Sequence, residues 1–183
     1  MKRFFFLGLV FVAIVAFAGQ GSPEVGNQDV SIPQGQRGLE LTLISPKRIY
    51  KPRDQFKLQV MLRNAGEKPL YVYGTLEWGS SATLMFHIRD ASGREVEPIL
   101  IPDPTPHAPP EDKSDFVKLQ PDNFLGTSYF APVKLMNLSE PGKYSIFVEY
   151  WCPFSGSDVS VSPFWGKGNG KIKSNIVHIE VVR

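Results

Sequence analysis

The sequence predicts an all-β protein: an antiparallel sandwich of about seven to nine strands, with a closed barrel as the weaker alternative. Three observations carry this. Apolar residues recur at period two in one segment after another. Turn residues punctuate those segments, with 16 Gly and 16 Pro in 183 residues. No stretch sustains apolar spacing at three and four over a dozen residues, as an amphipathic helix requires.

The chain opens with a basic tip, Lys2 and Arg3, and an uncharged apolar run from Phe4 to Ala18. Ala16-Phe17-Ala18 supplies the small-x-small pattern of a signal-peptidase site, so residues 1–18 read as a secretory signal peptide cleaved before Gly19. The run falls short of the roughly 20 residues a membrane helix needs. The expected consequence is export, periplasmic or secreted, with no membrane insertion after cleavage. Residues 19–38 are rich in Gly, Gln, Ser and Pro and read as a flexible leader. Residues 39–183 read as one domain.

Within that domain, "LELTL" alternates Leu39, Leu41 and Leu43 with polar partners. "QFKLQVMLR" puts Phe56, Leu58, Val60 and Leu62 on one face and is the cleanest amphipathic strand. The turn "NAGEKP" leads into "LYVYGTLEW", with Leu70, Val72, Leu76 and Trp78 in phase. "TLMFHIRD" and "REVEPIL" flank a Ser92-Gly93 turn. "DFVKLQ", "NFLGTSYFAPVKL", "KYSIFVEYW" and "NIVHIEVV" complete the set, with Pro132 expected to break or bulge the second of these. A single helical turn is allowed at residues 137–140.

"LMNLSEPGKYSIFVEY" resembles the approach to strand F of immunoglobulin-like domains: Leu138, a turn with Gly142, then Tyr144 and a core residue, Ile146. The resemblance implies a tyrosine corner, with the Tyr144 hydroxyl bonded to backbone near Leu138 to Glu140. "LQVMLRNAGEKPLYVY" likewise resembles strands B and C of bacterial exported immunoglobulin-like or fibronectin-III-like modules. The single cysteine excludes the internal disulfide of antibody domains. By this mapping the long segment from Trp151 to Lys171 joins strand F to strand G, at the end that antibodies use for binding.

That segment holds the candidate binding residues Trp151, Phe154, Phe164 and Trp165 among flexible Ser and Gly, a composition suited to recognition of a protein, a peptide or a glycan. The competing reading is a plug that closes the sandwich end. Trp165, beside Gly166, is expected to be exposed, and Phe154 to be structural. Cys152 reads as an inert thiol, with intermolecular pairing or nucleophilic chemistry as alternatives.

No catalytic residue, metal ligand set or cofactor motif is found. The three histidines lack ligand spacing, and no serine sits in a nucleophile elbow. The connector from Ile101 to Asp115 carries acidic residues but is stiffened by five prolines, which disfavours wrapping an ion. The full chain has 20 Lys+Arg against 18 Asp+Glu; without Lys2 and Arg3 it is formally neutral, which disfavours nucleic acid as a partner. The expected function is a non-enzymatic exported binding module acting through its F–G end. An inhibitor-type module directed at an exported hydrolase is the alternative, and a hydrolase site assembled from distant strands is the third reading.

Overall fold

A computed structural model describes residues 38–79, 83–99, 113–155, 158 and 160–183. The expected signal peptide at residues 1–18, residues 19–37 of the expected leader and most of the acidic connector lie outside the described residues. So does residue 100, at the end of "REVEPIL".

Alternation builds the two main sheets. β3 (Gln55–Asn64) buries every second side chain from Phe56 to Asn64, and it lies between β1 (Leu39–Ile44) and β7 (Phe124–Pro132), antiparallel to both. The second sheet centres on β8 (Gly142–Tyr150). One side of β8 pairs β5 (Leu84–Asp90); the other pairs β9 (Ile172–Lys173) and β10 (Val177–Val181). β2 (Ile49–Tyr50) adds a parallel edge to β10. A small third sheet pairs β4 (Leu70–Tyr73) with β6 (Phe116–Leu119).

The order β1-β3-β7 facing β2-β10-β8-β5 matches strands A, B, E against A′, G, F, C. The fold is an immunoglobulin-like β-sandwich. Leu41, Leu58, Val60 and Leu62 of one sheet meet Ile88, Ile146, Val148 and Ile179 of the other, all buried. Burying each such side chain contributes about 1.5–3 kcal/mol.

Several expectations need correction. Leu70 to Tyr73 is not strand C: it pairs β6, and the strand beside β8 is β5. "LYVYGTLEW" also stops as a strand at Tyr73: the Gly74 N–H still reaches the Asp115 carbonyl at 2.7 Å, but the partner segment there is the 3-10 turn Lys113–Asp115 and pairing ends. Both segments alternate, so periodicity alone cannot say which one reaches β8; tertiary pairing decides. Within "REVEPIL" the described residues form a single bridge, Arg89 with Glu95, rather than a strand. Pro132 breaks the strand, as expected, without a bulge. The β3–β7 register runs unbroken from Gln55 opposite Pro132 to Arg63 opposite Phe124, and the strand ends at the proline. The turn that follows falls at residues 133–137, ahead of the expected position.

The tyrosine corner is present. The Tyr144 hydroxyl donates to the Glu140 carbonyl at 2.8 Å. Tyr144→Phe is expected to cost roughly 0.5–1.5 kcal/mol, the net worth of one such bond. Urea melts check this: the midpoint should fall with an unchanged slope, and an unmoved midpoint would mean the bond does not stabilise the corner.

Candidate functional site

The long connection from β8 to β10 folds back onto the sandwich end. Its entry is tied down by the Trp151 N–H donating to the Thr83 carbonyl at 3.0 Å. Further on, the Tyr71 N–H donates to the Pro163 carbonyl at 2.8 Å, and the Trp165 N–H to the Tyr71 carbonyl at 2.9 Å. Residues 163–165 therefore bridge β4 in parallel, with Phe164 beside Tyr71. The connection is held by backbone hydrogen bonds as well as by side-chain packing.

Its aromatics divide between two cores. Trp165 is only 4% exposed and joins the main core. Phe154, 7% exposed, enters a second cluster with Tyr73, Phe116 and Cys152. The Phe154 ring meets Tyr73 edge-on at 5.0 Å, and Phe164 meets Phe116 edge-on at 5.2 Å. Trp151 and Phe164 are half-buried.

The expected exposure of Trp165 is thus corrected, whereas Phe154 is structural as expected. The reason lies at Gly166. A Cβ there would stand 2.7 Å from the Phe164 ring and 2.8 Å from the Phe154 carbonyl oxygen. The glycine permits close packing rather than a mobile tip. Among the described residues of 158–162 none lies in a strand.

Cys152 is fully buried, and burial pushes its thiol up to about 11, so little thiolate forms near neutrality. Its Sγ lies 3.8 Å from the Phe154 carbonyl oxygen. The thiol is a packing element of the second cluster.

Outside the loop, Phe147 points away from the core yet is buried. His87 stacks on it at 4.6 Å, and the Lys173 ammonium sits 3.8 Å above its ring. His87 Nδ1 contacts Glu95 at 2.8 Å. Lower on the same sheet lies a shallow groove of about 570 Å3 between Arg48, Asp90, Lys143 and Glu180. His178 and Ile49 also line it; its charges are mixed and solvated. Among the described residues no group of His, Cys, Asp or Glu is arranged to hold a metal ion.

The surface that the sequence reading missed is β7. It is an edge strand: β3 takes one side, and no strand of the described residues pairs the other. Its nine residues carry no charge. On its outward face Phe124 is 60% exposed and Phe130 59%. Beside it, Trp78, Tyr129, Phe130 and Met136 border an apolar cavity of about 240 Å3, and the Tyr129 hydroxyl donates to the Leu76 carbonyl. That volume is below the usual range for small-molecule sites, about 300–1,000 Å3, and fits a single side chain.

No family model matches the chain, and no curated protein matches it. Solved structures with a similar course include a β-glucosidase from Listeria innocua in complex with glucose, at 13% identity and TM-score 0.38. That match takes in 79% of this chain but only 16% of the glucosidase. A CARDB domain from Pyrococcus furiosus, in complex with di-metal ions, is similar over 89% of this chain and 100% of its own, at 10% identity and TM-score 0.36. A PapD-like domain of human CEP192 is similar over 88% and 94%, at 10% identity and TM-score 0.27. These likenesses are too distant to say what this chain binds.

No helix of the described residues is long and apolar enough to cross a membrane.

Proposed function

We propose that the chain is an exported, non-enzymatic interaction module that engages an extracytoplasmic protein or peptide by taking a strand onto β7. One observation carries this reading: a nine-residue uncharged edge strand that displays Phe124 and Phe130 to solvent. Sandwich proteins ordinarily protect such an edge with lysine, an interior proline, a bulge or a covering segment. Here the register is bulge-free and proline stands only at the terminus. An added strand would gain main-chain hydrogen bonds along the edge, while the cavity beside Phe130 accepts one of its side chains.

Recovery of partners from the native extracytoplasmic fraction tests the reading. Phe124→Ser/Phe130→Ser is expected to lose them while keeping the wild-type melting temperature, because both side chains are exposed. Phe164→Ser provides the contrasting arm. Partners lost with Phe164→Ser and kept with the β7 variant would move the contact to the β8–β10 loop.

Export rests on the pattern of residues 1–18. Intact-mass analysis of the exported protein is expected to give Gly19 as the mature N-terminus. Retention of residues 1–18 would overturn cleavage.

A further inference from the structure

We infer that the strand taken up by β7 is β7 of a second copy, forming a two-fold dimer whose axis passes through Thr127. This rests on the reading of β7 as the contact edge and names its partner. The first seven residues of the strand read Phe124-Leu125-Gly126-Thr127-Ser128-Tyr129-Phe130, a run nearly palindromic in character about Thr127. Antiparallel neighbours place directly opposed residues on the same face. A two-fold pairing must therefore be centred on a residue, so that outward side chains meet outward ones.

Of the residue-centred registers, the one at Thr127 sets Phe124 against the partner's Phe130 and Phe130 against the partner's Phe124. It also sets Leu125 against the partner's Tyr129, and Gly126 against the partner's Ser128. A centre at Ser128 would instead put Phe124 against the partner's Pro132. The Thr127 register covers all four exposed phenylalanines of the pair at once. It joins the two three-stranded sheets into one of six strands, β1-β3-β7 continuing into its symmetry mate.

Charge agrees with this occupant. The paired strands carry no charged residue, so no like charges are brought opposite one another. Beyond each end of the pairing stands the partner's Asp122, in the turn that leads into β7, on the side of Pro132. Lys57 already leans over Phe130 there, its Nζ 5.1 Å from the ring centre. The Asp122 side chain is 83% exposed and lies on the same outward face, held by Arg63 at 3.0 Å. Acid and base thus converge on both sides of the axis.

Light scattering over a dilution series of the mature protein tests the inference. The wild type is expected to pass from monomer mass to twice that mass as concentration rises. Phe124→Lys/Phe130→Lys opposes like charges at both ends, so its dissociation constant should be at least about tenfold higher. Phe124→Glu/Phe130→Lys sets opposite charges face to face only in the Thr127 register, and it should restore dimerisation relative to the double lysine variant. Thermal melts matching the wild type confirm that both variants fold.

A wild type that stays monomeric at every concentration overturns the dimer. If Phe124→Ser/Phe130→Ser still loses other partners, the contact-edge reading stands without it. A double lysine variant that dimerises like the wild type overturns both the dimer through β7 and its register. A Glu/Lys variant no better than the double lysine overturns the Thr127 register.

Discussion

Trp165→Ser is expected to destabilise the domain by about 3–5 kcal/mol, the range for truncating a buried large aromatic. Trp165 is part of the main core, and its backbone N–H is held by Tyr71. Serine would leave a cavity and also a hydroxyl to satisfy. Total stabilities of such domains run about 5–15 kcal/mol, so the melting temperature should fall by roughly 10 °C or more. Trp165→Phe should cost clearly less, because it keeps most of the buried ring and the indole Nε1 has no acceptor among the described residues. Thermal melts of the two variants check this. Equal, negligible losses would place Trp165 at the surface and restore it as a binding candidate.

Asn175→Ala is expected to cost about 2–4 kcal/mol despite removing only a small side chain. The Asn175 amide grips the β1 backbone across the sandwich. Its Oδ1 accepts from the Leu43 N–H at 2.8 Å, and its Nδ2 donates to the Leu43 carbonyl at 3.0 Å. Asn175 and Leu43 are both buried, so alanine leaves two peptide groups without partners. Each orphaned group costs roughly 1–3 kcal/mol. Asn175→Asp should be no better, since a carboxylate oxygen would then face the Leu43 carbonyl. Urea denaturation gives the numbers, and a loss below about 0.5 kcal/mol would show that water replaces the amide.

What could be read in the sequence was what local pattern specifies. The alternation of β3 fixed its face and almost its full length, and Leu138, Gly142 and Tyr144 were enough to locate the corner bond. Pairing was not legible. β4 and β5 both alternate, and only the completed sandwich assigns β5 to β8. Trp165 was misplaced because an adjacent glycine signals freedom as readily as close approach; the carbonyl of Phe154 beside Gly166 is a tertiary fact. The open edge of β7 left a trace that went unused. Phe124 and Phe130 share the outward parity with Gly126 and Ser128, on a strand where charged residues would be expected.

Hydroxyl-radical footprinting of the dilute protein, resolved by residue, tests the central claim most directly. β7 is held to be open surface and the β8–β10 connection folded-in structure. Phe124 and Phe130 are expected to oxidise rapidly in the native state. Trp165, although intrinsically the more reactive side chain, should oxidise appreciably only when the domain is unfolded. Rapid native oxidation of Trp165 with Phe124 and Phe130 protected would contradict the account.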